Sequence, residues 1–301
     1  MANSSGEHWR AVLITGPTAS GKSAYAIARA EAAGGVVINA DSMQVYDTLR
    51  VLTARPSVDD MQGIPHYLYG HVPAGDEYST GAWLRDMEAL LKQFAGEGRM
   101  PVIVGGTGLY FKALTEGLAA MPPVPADIRA RWRQALAEEG AVALHSRLAE
   151  CDPAMAARLQ PSDGQRIVRA LEVFEACGRS IADFQAENPP PLIDAANADK
   201  IVVLPERSVL HDRINRRFET MLEAGAVEEI EALLALGLDP AAPVMRAIGV
   251  KEIAAMLSGA ISRDEVIEKA SAATRQYAKR QMTWFRNQMG PEWKRLDPAK
   301  G

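Results

Sequence analysis

The sequence predicts an α/β protein: a P-loop NTPase-like parallel sheet core with an all-helical inserted subdomain and a helical C-terminal region. Three observations carry this. Short apolar runs alternate with helical stretches, the pattern of a parallel sheet covered by helices. A glycine loop joins the first run to the first helix. Prolines border an interval where the alternation stops.

The elements follow in order. AVLITG (11–16) is apolar, β-branched and bounded by Gly-Pro, so it predicts a buried strand. The helix SAYAIARAEAA ends at Gly34-Gly35. VVINADS (36–42) predicts a second strand that brings Asp41 to its C-terminal end. A helix over 79–95 has Ser79 or Thr80 as N-cap. MPVIVGGTG (100–108) predicts a third strand, LYFKALTEGL the helix after it, and KIVVLPE (200–206) a fourth strand. Ligands of such sheets collect at the carboxyl ends of the strands, where Gly16, Asp41 and Gly105–Gly108 fall. The interval 119–198 opens with Pro122, Pro123 and Pro125 and closes on NPPPL, with helical patterns between. The expected organisation is therefore a catalytic core of 1–118 and 199–301 around a helical insertion of 119–198.

Composition narrows the function classes. With 301 residues, 48% apolar and 24% charged, the chain reads as an ordinary globular protein. MANSSGEHWR has no apolar leader core, and no run is long enough to span a bilayer, which predicts a cytoplasmic location without membrane contact. Cys151 and Cys177 are the only cysteines, which argues against a disulfide framework or a zinc cluster. His66, His71, His145 and His211 show no metal spacing. The net charge of −5 argues weakly against nucleic acid, yet 269–289 holds five basic residues and no acidic one. Phosphate attraction is local, so that segment outweighs the total.

GPTASGKS, residues Gly16, Pro17, Thr18, Ala19, Ser20, Gly21, Lys22 and Ser23, has the spacing of a phosphate-cradling loop between strand and helix. Backbone N–H groups and the helix N-terminus form the anion site. Lys22 adds a mobile charge, and Ser23 a hydroxyl ligand for Mg²⁺. The third strand ends in glycines and lacks the acidic residue with which hydrolases hold that metal; only Asp41 fills a comparable place. Asp41 could accept a proton from a nucleophile, hold metal through water, or cap the next turn. Thr107 lies in GGTG, where backbone can approach a ligand closely or simply turn. Arg213, Arg216 and Arg217 share about a face and a half of one helix. Arg166 and Arg169 stack at i,i+3, for phosphate or for ion pairs with Glu172 or Glu175. In the C-terminal stretch, Arg275, Lys279, Arg280 and Arg286 interleave with Tyr277, Trp284 and Phe285, which suits RNA, although the aromatics also fit a core stripe.

Nine ordered segments resemble bacterial tRNA dimethylallyltransferases over about residues 11 to 287. They are GPTASGKS, INADSMQVY, TARP, PHYL, VGGTGLYFKAL, GQRIVRALEV, RINRRFETML, MRAIGVKE and ATRQYAKRQMTWFR. The resemblance implies transfer of a dimethylallyl group to the exocyclic amine of the adenosine 3′ of the anticodon. The glycine loop would then hold the diphosphate of dimethylallyl diphosphate, not a nucleotide. Asp41 matches the proposed base, Thr107 the threonine near the target base, and Arg217 an arginine on the diphosphate. Asp41, Ser42, Met43 and Gln44, Arg129, and Gln165, Arg166, Ile167, Val168 and Arg169 match tRNA-contacting positions, and the insertion helps clasp the anticodon stem-loop. Leu52 and Arg55 stand where the family often has Gly and Lys, and the zinc finger of eukaryotic relatives is absent. A prenyltransferase acting on free adenine nucleotide would not need the insertion or basic tail. A small-metabolite kinase is the more distant alternative, and a non-catalytic RNA-binding protein would leave the glycine loop idle. The partners expected are thus tRNA and dimethylallyl diphosphate, with the enzyme a monomer.

Overall fold

The computed structural model describes residues 10–299; residues 1–9, part of the stretch read as lacking a leader, lie outside them. Six strands form one all-parallel sheet: β1 (Ala11–Thr15), β2 (Val36–Asn39), β3 (His66–Tyr67), β4 (Pro101–Gly105), β5 (Ala198–Val203) and β6 (Lys294–Leu296), in the order β3-β2-β4-β1-β5-β6. The four predicted strands are the inner four. The two edges escaped prediction because they are short and lack an apolar run: two half-buried residues at one edge, and Lys-Arg-Leu at the other. β1, β2 and β4 are buried along their whole length, as strands covered on both faces must be.

The second strand stops at Asn39, three residues earlier than predicted. Asn39 is fully buried; its side chain accepts from Asp41 N–H at 2.8 Å and donates to the carbonyls of Asp41 and Leu68. These bonds replace the ladder and turn the chain. Register then aligns the exits: Thr15 pairs with Gly105, and Asn39 with Val104, so three loops emerge side by side. The approach is close enough that a Cβ on Gly105 would lie 2.0 Å from the Ala40 carbonyl oxygen.

Helix α1 (Lys22–Ala33) ends on Gly34 with φ 59°, and α2 (Thr80–Glu97) starts from Ser79, whose side chain accepts from Ala82 N–H. α3 (Gly108–Glu116) follows β4. The chain then enters a separate compact unit, residues 116–191, containing α4 (Ala126–Cys151), α5 (Pro153–Ala156), α6 (Gly164–Cys177) and α7 (Ile181–Ala186). α4 breaks at Gly140, where φ is 82° and ψ 167°. This unit has its own core of Leu144, Leu148, Ile167, Leu171 and Val173. It closes before the predicted residue 198, because the chain has already rejoined the sheet unit. Ile193 is fully buried in that unit's core, and its N–H donates to the Leu114 carbonyl at 3.1 Å. The sheet unit continues with α8 (Arg207–Glu223), α9 (Ala226–Ala235), α10 (Val250–Leu257) and α11 (Arg263–Gln288). Among the described residues, no helix is long and apolar enough to cross a membrane.

Candidate active site

β1 feeds the glycine loop. The Thr15 hydroxyl donates to the Gly105 carbonyl at 3.0 Å, holding the loop's root against β4. Ala19 (φ 62°) and Gly21 (φ 89°) take left-handed backbone and curl the loop ahead of α1. Gly21 provides no side-chain cap, so the first-turn N–H groups remain open, which is an anion site by backbone geometry and helix dipole. The loop donates fewer groups than its length suggests. Pro17 has no N–H, and its carbonyl accepts from Lys22 Nζ at 3.2 Å. Thr18 N–H donates to Gln281 Oε1 at 3.0 Å, and Ser20 N–H turns inward to the Pro17 carbonyl. The N–H groups of Ala19, Gly21, Lys22 and Ser23 make no loop or cap hydrogen bond among the described residues, and the Lys22 and Ser23 side chains add to them. Ser20 Oγ is buried and unpartnered beside them. Burial pulls the Lys22 pKa down to about 8, with Asp41 acting to raise it and Arg217 to lower it further.

The loop after β2 presents Asp41. Its Oδ1 accepts from Met43 N–H at 2.9 Å, so one oxygen does cap a turn, while Oδ2 accepts no hydrogen bond among the described residues. Thr107 ties this loop to the one after β4: its Oγ1 accepts from Ser42 N–H at 3.0 Å, and its own N–H donates to the Ala40 carbonyl at 3.2 Å. Thr107 thus stands beside Ser42 and the Asp41 loop, the neighbourhood expected for the threonine near the target base.

Two cavities meet at this carboxylate. One, of about 680 Å³, is lined by the glycine loop, Asp41, Gln44 and the α8 side chains Arg213, Arg216, Arg217 and Thr220, an i, i+3, i+4, i+7 face. Arg213 reaches the Ala19 and Ser20 carbonyls at 3.5 Å each. The other, of about 310 Å³, has an apolar wall of Leu52, Ile214, Phe218, Met221 and Ile248, with Tyr277 and Arg280 at its polar side. Thr18, Asp41, Thr53 and Arg217 line both. Burial lowers the Arg217 pKa and Asp41 acts against that; burial and then Asp41 raise those of Tyr69 and Tyr277. The lining of the first cavity suits phosphate and that of the second an apolar group, with a carboxylate and a guanidinium at the seam.

Gln281, Asn39 and Glu229 were missed as functional residues. Buried Gln281 spans two loops, accepting from Thr18 N–H and donating through Nε2 to the Gly106 carbonyl at 2.9 Å. It lay in the C-terminal stretch read for its charges, where a polar residue on the apolar face was the available signal. Asn39 was signalled as the one polar residue of an apolar strand. Glu229 on α9 gave none: its carboxylate accepts from the N–H groups of Arg50, Val51 and Leu52 at 2.8, 2.6 and 3.0 Å, fixing a loop whose next residues line both cavities. Arg55 donates to the carbonyls of Tyr46 and Asp47 and so serves as a clamp of the same region.

The expected RNA contacts divide. Ser42, Met43, Gln44 and Arg280 lie at the cavities; Arg280 stands over the Tyr277 ring at 5.7 Å, and Arg275 donates to Asn215 at 2.5 Å. Arg129, Gln165, Arg166 and Arg169 lie in the helical unit, where Arg166 pairs with Asp163 and Arg169 with Glu172. Ile167 and Val168 are buried in that unit's core, so the expectation of RNA contact is corrected for both side chains. Phe285 is likewise a core residue, and Trp284 packs against Gly108.

Among the described residues, no group of three or more His, Cys, Asp or Glu could cage a metal. The Ser23 hydroxyl and the Asp41 carboxylate do line one cavity with the anion site. Few hard oxygen donors beside phosphate are the set Mg²⁺ uses when it keeps water and phosphate oxygens, so the residues fit that ion.

Sheet, glycine loop and double cavity define a phosphate-gripping transferase of the P-loop-like α/β class. The IPP transferase family model matches residues 44–288, and an isopentenyl transferase model matches residues 9–70. The chain belongs to the IPP transferase family. It is 66% identical over 292 residues to a tRNA dimethylallyltransferase of Agrobacterium fabrum, covering 97% of this chain and 98% of that one. It is 68% identical over 286 residues to one of Rhizobium leguminosarum bv. trifolii, at 95% and 96% coverage. Among solved structures, a Bacillus halodurans tRNA isopentenylpyrophosphate transferase aligns with TM-score 0.68 and 33% identity, over 96% of this chain and 89% of that one. A eukaryotic dimethylallyltransferase acting on tRNA aligns with TM-score 0.80 and 27% identity, over 95% and 73%.

Proposed function

We propose that this chain transfers a dimethylallyl group from dimethylallyl diphosphate to the N6 amine of the adenosine 3′-adjacent to the anticodon of tRNA, releasing diphosphate. The observation that carries the reading is the position of Asp41 and Arg217 where a phosphate-lined cavity joins an apolar one. A diphosphate in the first and its prenyl chain in the second would put the bond between them at the seam.

In the step, the N6 lone pair forms a bond to C1 of the prenyl group, and the C1–O bond breaks. Its electron pair leaves with the diphosphate, and the N6 proton passes to Asp41 Oδ2. The open N–H groups, Lys22 and Arg217 meet charge as it grows on the leaving oxygens, which is the electrostatic preorganisation that dominates many enzymes. Mg²⁺ bound through Ser23 would supply further neutralisation of those oxygens. An exocyclic amine is a poor nucleophile, so a positioned base contributes about 10²–10⁴ in rate. The adenine must leave its stack, at about a few kcal/mol, and loop bases leave most easily. Arg129, Gln165, Arg166 and Arg169, with Arg275, Lys279 and Arg280, are the proposed tRNA contacts. A free-nucleotide acceptor is disfavoured because the relatives that cover nearly the whole chain are named for tRNA. The same reading has the enzyme act as a monomer in the cytoplasm, where its tRNA substrate is found.

Asp41→Asn keeps the acceptor for Met43 N–H and removes the base. We expect kcat to fall by about 10²–10⁴ with the KM for tRNA little changed. An unchanged kcat would remove Asp41 from the mechanism.

A further inference from the structure

The apolar wall of the second cavity contains one residue whose place is fixed on every side. Leu52 lines that cavity, yet only 7% of it is exposed. Its N–H donates to Glu229 Oε2 at 3.0 Å, which holds the backbone. Its side chain lies over the bare backbone of Gly249, the residue that opens α10: a Cβ there would sit 2.6 Å from Leu52 Cδ1 and 3.2 Å from Phe218 Cε2. Leu52 and Phe218 therefore fill the space that a side chain at 249 would take, and Leu52 has no room to withdraw from the cavity in that direction.

Behind this wall is core. Leu52 and Phe218 belong to the same hydrophobic cluster as Leu49, Ile230, Val250 and Ile253, each at most 1% exposed. A close-packed core does not yield to one added methylene without cost. Leu52 is thus a partition with the cavity on one face and the core on the other. The opposite side of the cavity holds Arg246, Thr274, Tyr277 and Arg280. A hydrocarbon tail turned that way would strip water from guanidinium groups without bonding them, and under the proposed function it would compete with the adenine.

We infer that Leu52 sets the length of the allylic diphosphate that the chain accepts, admitting the five-carbon dimethylallyl group and excluding the ten-carbon geranyl group. The inference rests on the proposed function and deepens it. The chemistry is the same for both donors: the N6–C1 bond forms, the C1–O bond breaks, and diphosphate leaves with the electron pair. Only the fit of the tail differs. Leu52 does not line the phosphate cavity, so its side chain bears on the tail and not on the leaving group. Truncating it opens an apolar hole toward the core, of the kind that stays dry and takes up hydrocarbon.

The test uses the full chain with Leu52→Ala and the smaller truncation Leu52→Val. Binding of dimethylallyl diphosphate, geranyl diphosphate and inorganic diphosphate is measured by calorimetry with Mg²⁺ and without tRNA, and transfer to tRNA is measured separately. The wild type should bind the five-carbon donor more tightly than the ten-carbon one. Leu52→Ala should shift that affinity ratio toward geranyl diphosphate by at least about tenfold, the lower end of what one methylene is worth in an apolar pocket. Leu52→Val should shift it the same way by less, inorganic diphosphate should bind both variants as it binds the wild type, and Leu52→Ala should place the ten-carbon group on tRNA. A wild-type ratio in Leu52→Ala, or in Leu52→Val should the first variant not fold, would overturn the inference. So would equal wild-type affinity for the two donors, or a loss of inorganic diphosphate binding as large as the loss of dimethylallyl diphosphate binding, which would assign Leu52 to loop placement. If the wild type prenylates no tRNA, the transfer reading falls while the affinity ratios still judge Leu52. If it prenylates tRNA and the ratios coincide, the inference about Leu52 alone falls.

Discussion

Gln281 and Lys22 show how single side chains set the site's chemistry. Gln281 takes one N–H from the phosphate loop and gives one to the loop that carries Thr107, which in turn fixes Ser42 beside Asp41. The proposed grip on the leaving group and the proposed base are thus held by one chain of bonds. Gln281→Glu replaces the donor to the Gly106 carbonyl with a second acceptor and puts negative charge beside the phosphate loop. We expect a raised KM for the diphosphate together with a lowered kcat, and a loss of about 1–3 kcal/mol in stability. Kinetics with each substrate varied, and thermal melts, check it; an effect on tRNA KM alone would refute the coupling. Lys22 makes a different point. Its pKa falls from 10.5 unfolded to about 8 folded, so between those values the unfolded chain binds more protons, and stability rises with pH from about 8 to 10.5. Below pH 8 the charged form is a burden that a bound diphosphate relieves. Lys22→Met should therefore raise Tm at pH 7, with the gain shrinking by pH 10.5, while diphosphate binding is lost. A lowered Tm at pH 7 would contradict the desolvation of this lysine.

At the scale of elements, the strand–loop–helix units were legible because apolar runs and glycines announce them. The four inner strands, the Gly34 stop and the Ser79 cap all follow from local chemistry. The edge strands, the early end of β2 and the loop at 50–54 depend on partners distant in sequence. Glu229 illustrates this: nothing near residue 229 announces that its carboxylate accepts three N–H groups 177 to 179 residues away. Glu229→Gln replaces one acceptor oxygen with a donor facing those N–H groups. The expected result is a loss of about 1–3 kcal/mol and a diphosphate KM raised more than the tRNA KM. Wild-type diphosphate KM would show that the loop keeps its place without this carboxylate. α8 and α11 were legible as basic helices, but a run of charges does not say which face turns to a cavity; Arg213, Arg216 and Arg217 needed the fold to aim them at the glycine loop.

Across the whole molecule, the unit of residues 116–191 has a hydrophobic core of its own, which accounts for the burial of Ile167 and Val168 amid a segment otherwise rich in polar groups. The sheet unit by itself assembles the glycine loop, the Asp41 carboxylate and the apolar cavity, and the proposed chemistry uses only these. The direct test of the central claim follows the prenyl group. Wild-type protein is incubated with dimethylallyl diphosphate labelled in the prenyl carbons, with tRNA and with free adenine nucleotide in competition, and the products are separated. The account predicts label in tRNA, on the adenosine 3′-adjacent to the anticodon, and none in the nucleotide. Label in the free nucleotide with unmodified tRNA would contradict it.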